Sequence, residues 1–240
     1  GAHGIAGLVS VCGVAKIVGP GNRFVAAAKH LVSGLVAVDM PAGPSEVLIV
    51  ASGDADPALV AADLLAQAEH DPDALCLLFT DSRRLGTRVR HEIAEQMEVF
   101  EDSLKGVAIA SLLRHGRIFT FKEIFSAASV GAQVAAEHVQ LMGKSAEKLS
   151  YILLPTAGAL FIGSSTPTAL GDYVAGPNHV LPTGGAARSF SGLSVRDFLR
   201  WGRSVSAPPK AASRLAPEAA VLARFERLAA HAESLERRAR

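Results

Sequence analysis

The sequence predicts an α/β protein built on layers of parallel sheet and closed by a C-terminal helical extension. Three observations carry that expectation. Short runs rich in Val, Leu and Ile alternate with longer segments of helical periodicity. Hydrophobic residues make up 49% of the chain while aromatics supply only 5%, a balance dominated by Ala, Val, Leu and Gly. The alternation stops at Pro208-Pro209, after which Leu215, Ala219, Leu222, Phe225 and Leu228 recur at helical spacing with Pro217 near the start.

The elements follow in order. Val14 to Val18 reads as a short buried strand, ended by the turn Gly19-Pro20-Gly21-Asn22, and Arg23 to Leu35 as a helix. Val36 to Asp39 is the next strand, followed by a loop, Pro41 to Ser45, stiffened by two prolines. Val47 to Val50 is a buried strand. Asp54 to Glu69 is helical, with Asp56 as N-cap and Pro57 at the first helical position. Leu75 to Thr80 is a strand and Ser82 to Met97 a charged surface helix. Arg117 to Phe121, Lys122 to Ala136, Val139 to Met142, Ser145 to Leu149 and Ala159 to Gly163 continue the alternation. The last helix carries both Glu226 and His231 and, set apart by the two prolines, suits packing on a partner subunit.

Composition narrows the function classes. The 240 residues suffice for one large domain or two small ones, and either buries a real core. A formal net charge of +1 offers no basic surface for nucleic acid. No apolar run approaches a membrane span and no secretory signal is visible. Cys12 and Cys76 form no framework and read as free buried thiols of a cytoplasmic protein. The start at Gly1-Ala2-His3 reads as the interior of a larger protein. There is no internal repeat and no low-complexity segment.

Several polar clusters interrupt this apolar chain. Gln67 and His70 are three apart in the expected helix, so at about 3.6 residues per turn they project from one face. An oxygen and a nitrogen donor so placed suit zinc or a neighbouring first-row metal, although such pairs also decorate solvent-facing helices. Glu137-His138 couples a carboxylate to an imidazole at a strand start, and His is the side chain best matched to proton transfer near neutral pH. Gly171 to Thr183 has little periodicity. It is dense in Gly, Pro and site-type side chains, among them Asp172, Tyr173, Asn178 and His179, as functional loops are. Ser45 ends the proline-stiffened loop, where it is either a site hydroxyl or a cap. Gly19 to Asn22 is either a nucleotide-binding turn or an ordinary strand-to-helix connection.

Together these segments resemble the L-histidinol dehydrogenase family. The resemblance covers nearly the whole chain. It rests on Ile17-Val18-Gly19-Pro20-Gly21-Asn22, on Asp39 to Glu46, and on Asp63-Leu64-Leu65 running into Gln67-Ala68-Glu69-His70. It rests further on Gly171 to Thr183, on Ser191-Gly192-Leu193-Ser194, and on the spacing from Glu226 to His231. It implies Rossmann-like layers divided into a partial dinucleotide-binding domain (1–46), an α/β zinc and substrate domain (47–185) and a C-terminal extension with a helix for dimer contact (186–240). The implied activity is the zinc-dependent oxidation of L-histidinol to L-histidine in two NAD-dependent steps through an aldehyde, within histidine biosynthesis.

By the same resemblance, Gln67, His70, Asp172 and His231 would be the zinc ligands and Glu137 and His138 the catalytic pair. His138 would take the alcohol proton as hydride leaves, and Glu137 would activate water on the aldehyde. Ser45, His179 and Glu226 would contact substrate together with the ligands and His138, and Asn22 would contact NAD. Family members are homodimers in which the C-terminal Glu and His come from the partner subunit. The chain departs from the pattern in places. Family chains are much longer, and an N-terminal part including a Tyr contact has no counterpart here. A second NAD-contacting Gln of the family falls where His3 stands, the Gly4 to Val14 segment is shorter, and Ala136 replaces the Pro before the catalytic dipeptide. A related dehydrogenase of another polar alcohol and a catalytically inactive metal-binding fragment are the alternative readings.

Overall fold

The computed structural model describes residues 1–40 and 43–239; Pro41 and Ala42, the start of the expected stiff loop, lie outside the described residues. The first helix, α1 (Ala2–Ser10), was not among the expected elements. Strand β1 (Lys16–Ile17), helix α2 (Arg23–Val32) and strand β2 (Ala37–Val38) follow, and β1 and β2 pair in parallel. Ile5, Ile17 and Val36 form their small core. Helix α2 stops three residues before the expected Leu35, with Ser33 at its C-cap and Gly34 next.

The main sheet is assembled from five parallel strands. Strand β3 (Glu46–Ala51) is buried along its whole length. Helix α3 (Pro57–Ala68) begins as its sequence dictates: Asp56 accepts the Ala58 N–H at 2.9 Å and Pro57 occupies the first turn. Strand β4 (Leu75–Thr80), helix α4 (Arg83–Met97, capped by Ser82) and helix α5 (Asp102–His115) come next. Helix α5 has no clear apolar stripe, which is why periodicity did not announce it: Ala108 and Ser111 are buried while Leu104, Ile109 and Leu113 are exposed. Strand β5 (Gly116–Thr120), helix α6 (Ile124–Val134), strand β6 (His138–Met142), short helices α7 (Lys144–Glu147) and α8 (Ser150–Leu153), and strand β7 (Ala159–Ile162) complete the layers.

The strand order is β5-β4-β3-β6-β7. The chain therefore builds outward from β3 to one edge, then returns to the other side of β3 through β6. Alternate residues of β3 face opposite layers. Val47, Ile49 and Ala51 pack with α3, α4 and α5, while Leu48 and Val50 pack with α6, α7 and α8. Each fully buried Val, Leu or Ile contributes about 1.5–3 kcal/mol of apolar burial. Cys76 joins this core and burial pushes its thiol up to about 11. Cys12 is exposed, against the expectation of two buried thiols. Past β7, Asp172 lies on a short helix, α9 (Ala169–Tyr173), where an irregular loop was expected. Among the described residues, no helix is long and apolar enough to cross a membrane.

Two compact units divide the chain, Gly1–Phe198 and Leu199–Arg240. The second is a pair of packed helices, α10 (Pro209–Phe225) and α11 (Ala229–Ala239), tied by an Arg224–Glu236 ion pair at 2.6 Å. It corrects three expectations. The helix begins at Pro209, where a first-turn proline is harmless, so Pro217 lies in its interior. Glu226 and His231 do not share one helix: Glu226 caps α10, Arg227 turns left-handed at φ 61°, and His231 lies in α11. Finally, the buried seam consists of Ala216, Ala220, Ala223 and Ala232, while Leu215, Leu222 and Phe225 are exposed.

Candidate active site

The polar clusters that are scattered in sequence meet at the amino edge of the main sheet. Parallel pairing sets Val47 beside His138, so the residues just before them, Glu46 and Glu137, also adjoin. Helix α3 runs back against the strands and delivers its C-terminal end to the same edge. A cavity of about 280 Å³ opens there, lined by Ser45, Gln67, His70, Glu137, His138, Asp172, Tyr173 and His179. Gln67 is buried in the last turn of α3. His70 lies beyond the helix end, because the chain turns at the Glu69 cap and the His70 N–H returns to the Gln67 carbonyl at 3.3 Å. The two thus share a cavity without sharing a helix face.

Two glycines let the surrounding backbone close on this edge. A Cβ on Gly158 would stand 2.5 Å from the Glu137 carbonyl oxygen, so only glycine lets the entry to β7 pass so near the dipeptide. A Cβ on Gly171 would stand 2.6 Å from the Phe161 ring. Phe161 lies against the His138 imidazole, with ring centroids 5.9 Å apart. This stack of Gly171, Phe161 and His138 seats α9 so that Asp172 Oδ1 comes within 3.9 Å of His138 Nε2.

His138 is 5% exposed and its environment is strongly acidic. Burial opposes the charged ring, but the Glu137 carboxylate at 3.5 Å from Nδ1, the Asp172 carboxylate and the Glu46 carbonyl together lift its pKa above the ordinary imidazole value. Nε2 of His138 and Nε2 of Gln67 are buried with no hydrogen-bond partner in the protein. Buried polar atoms without partners are uncommon, and a catalytic role or a bound water or ion accounts for them in native proteins. Sequence reasoning missed Glu46. Its carboxylate accepts from the Glu137 N–H at 3.3 Å and from the Gly184 N–H at 2.8 Å, and burial foremost raises its pKa. Its position beside Ser45, at the start of a buried strand, was the one signal the sequence offered.

A second cavity, of about 380 Å³, is lined by Gly21, Asn22, Arg23, Phe24, Gly43, Pro44, Asp71 and Asp73. Its walls adjoin the first cavity in sequence twice, at Pro44-Ser45 and at His70-Asp71. Asn22 caps α2: its Oδ1 accepts from the N–H groups of Phe24 and Val25 at 3.1 and 3.2 Å, leaving its amide nitrogen for a ligand. Lys29 and Asp39 form a buried ion pair that grips the turn from behind, Lys29 donating to the Gly19 carbonyl at 2.6 Å and Asp39 accepting the Gly19 N–H at 2.8 Å. His3 lies on α1. Among the described residues, no three His, Cys, Asp or Glu side chains come close enough to hold a metal. Glu226 and His231 are exposed residues of the second unit.

The chain has clear relatives. A family model described as histidinol dehydrogenase matches residues 1–239. The histidinol dehydrogenase of Ruegeria pomeroyi is 44% identical over 242 residues, covering 99% of this chain and 55% of that protein. The one from Aquifex aeolicus is 45% identical over 222 residues, covering 91% of this chain and 51% of that protein. A crystal structure of histidinol dehydrogenase from Elizabethkingia anophelis superposes with a TM-score of 0.87 at 34% identity, over 94% of this chain and 51% of that one. The chain spans about half the length of the curated relatives it matches. With its parallel sheet, its amino-edge cavity and these likenesses, the chain belongs to the histidinol dehydrogenase family.

Proposed function

We propose that this chain carries the substrate and metal site of a cytoplasmic NAD-dependent histidinol dehydrogenase, which oxidises L-histidinol to L-histidine in two steps. One observation carries the proposal. Ser45, Gln67, His70, Glu137, His138, Asp172 and His179, drawn from distant segments, line one cavity, in which the His138 Nε2 is buried and unpartnered. In this reading residues 1–46 belong to the dinucleotide-binding part, 47–185 to the substrate and zinc part, and 186–240 to a dimer-forming extension.

Within that cavity His138 takes the substrate hydroxyl proton on Nε2, and the neighbouring carboxylates of Glu137 and Asp172 stabilise the imidazolium that results. Glu137 then draws a proton from the water that adds to the aldehyde. Ser45 and His179 hydrogen-bond the substrate at the cavity wall. Gln67, His70 and Asp172 offer two neutral donors and one carboxylate, a set that fits zinc, with His231 of a second copy of the chain as the fourth donor and Glu226 beside it. When bound, zinc would supply a positive centre suited to neutral nitrogen donors of the substrate. NAD supplies the hydride acceptor, and the cavity at Asn22, separated from the catalytic one by Pro44-Ser45 and His70-Asp71, is where its amide nitrogen and the adjacent turn would hold it.

The test is His138→Asn, assayed for NADH formation from L-histidinol and for zinc content. Turnover should fall by about 10²–10⁴-fold while zinc stoichiometry holds. Parallel loss of zinc and turnover overturns the base assignment. A wild-type chain that binds zinc but neither binds NAD nor forms NADH identifies a metal-binding fragment instead.

A further inference from the structure

The buried carboxylate of Glu46 has no role in the chemistry above, yet it accepts the backbone N–H of Glu137, the first residue of the catalytic dipeptide. Glu46 and Glu137 exchange hydrogen bonds across the start of β3 and β6. The Glu46 N–H donates to Glu137 Oε2 at 2.9 Å, and the Glu137 N–H donates to Glu46 Oε2 at 3.3 Å. The other Glu46 oxygen accepts the Gly184 N–H, tying in the segment after the His179 loop. The Glu46 main-chain carbonyl meets His138 Nδ1 at 3.3 Å, and Glu137 Oε2 lies 3.5 Å from the same nitrogen. A carbonyl oxygen only accepts, so the Glu46 contact places the proton on Nδ1. The neutral ring then carries its lone pair on Nε2, the nitrogen that is buried without a protein partner on a residue lining the cavity.

We infer that Glu46 is a positioning residue whose reciprocal clamp with Glu137 holds His138 in the Nδ1–H tautomer with Nε2 turned toward the substrate cavity. The inference rests on the reading of Glu137 and His138 as the proton-transfer pair, and it extends that reading to a residue which touches neither substrate nor metal. The clamp works through registry. Two carboxylates, each accepting from the other's backbone N–H, fix the facing ends of two parallel strands where ladder bonding has only begun. Outer-shell partners that orient metal ligands cost roughly 10–100-fold in affinity or activity when removed, and a clamp on the base should act on the same scale.

The experiment uses the full 240-residue chain, labelled with ¹⁵N-histidine. The ring nitrogens of His138 are read from two-bond proton–nitrogen correlations above the pKa of the ring, and are assigned by their disappearance in His138→Asn. Wild-type protein should show a single Nδ1–H tautomer. Glu46→Gln keeps one acceptor oxygen but points an NH₂ group at a backbone N–H, so the two ring nitrogens should move toward exchange-averaged shifts. Turnover of L-histidinol should fall about 10–100-fold with KM and zinc stoichiometry nearly unchanged. Glu46→Asp, which keeps the charge but cannot span both donors, should lie between the two and serves if the Gln variant does not fold. An Nε2–H tautomer in the wild type overturns the inference, as does a Glu46→Gln chain with wild-type ring shifts and turnover. If the wild-type chain forms no NADH, the functional reading fails while the ring-nitrogen pattern still decides the clamp.

Discussion

The two edges of the main sheet treat their polar residues in opposite ways. At the carboxyl edge they satisfy one another. Ser52 donates to Asp54 at 2.6 Å, the Lys144 N–H donates to the second Asp54 oxygen at 3.1 Å, and the Gly53 N–H donates to Asp81 at 3.0 Å. At the amino edge Glu46, Glu137 and His138 are all buried, and both His138 Nε2 and Gln67 Nε2 lack partners. Open parallel sheets usually bind ligands outside their carboxyl ends, where strand order reverses. Here that reversal falls between β3 and β6, and the polar groups at its carboxyl side are engaged in closing turns. Two of the four buried side-chain atoms without partners among the described residues, His138 Nε2 and Gln67 Nε2, sit at the other end of the sheet; the others are Asp39 Oδ1 and Gln140 Oε1. The fold rule points to the carboxyl edge, whereas the hydrogen-bond accounting points to the amino edge.

The largest way to break this contrast is to disturb the amino-edge backbone itself. Gly158→Ala places a methyl group 2.5 Å from the Glu137 carbonyl oxygen. The neighbour is backbone and cannot swing aside. We expect a loss of about 1–3 kcal/mol in urea unfolding, the range for forced overpacking, together with loss of L-histidinol turnover in excess of the unfolded fraction. Unchanged stability and turnover would show that the dipeptide is not held where the close approach puts it.

That same site shows what sequence could and could not reveal. The strands were legible because β-branched runs such as Val47 to Val50 need two covered faces, and the start of α3 was legible because Asp56 and Pro57 signal it locally. The gathering of Gln67, Asp172 and the Glu137-His138 pair was not present in any local pattern. It came from motif resemblance, and the register Val47 to His138 supplies its physical reason. Glu46 stayed hidden because a carboxylate next to a strand start looks like a solvent-facing charge until the neighbouring strand is known. Helix α5 stayed hidden because its buried positions are Ala108 and Ser111, too small to mark a stripe. The break before α11 was invisible because Arg227, not glycine, takes the left-handed conformation there.

A smaller effect sharpens the contrast from the other side. Asp54→Ala removes the acceptor of the Ser52 hydroxyl and of the Lys144 N–H, and Ser52 is 2% exposed. Asp54 itself is exposed, so water replaces part of what is lost, and about 1 kcal/mol of unfolding free energy should go. Zinc binding and L-histidinol turnover at the amino edge should be untouched. Loss of either, in a variant that remains folded, would mean that the two edges are coupled and that the carboxyl edge is more than a closure.

The smallest expected effect is a difference of sign. Hydrogen bonds from Ser52 and then Lys144 hold Asp54 below its ordinary 3.8, so the folded chain binds that proton less well than the unfolded one. Its contribution is present above 3.8 and is lost as pH falls through the folded value; for so exposed a group it amounts to roughly 0.2–1 kcal/mol. The amino edge behaves oppositely. Burial foremost lifts Glu46 above 4.5, and despite burial the surrounding acceptors lift His138 above 6.5, so the folded chain holds both protons more tightly. Stability from Glu46 therefore begins to fall as pH rises past 4.5, and that from His138 is complete below 6.5 and lost as pH rises through its folded pKa. Urea midpoints of the metal-free chain measured across pH should show the two arms separately. Asp54→Asn should flatten the acid arm alone and His138→Asn the arm above 6.5 alone. An arm above 6.5 that survives His138→Asn would assign that proton to another group and leave the imidazole without the acidic surroundings that suit it to accept a substrate proton.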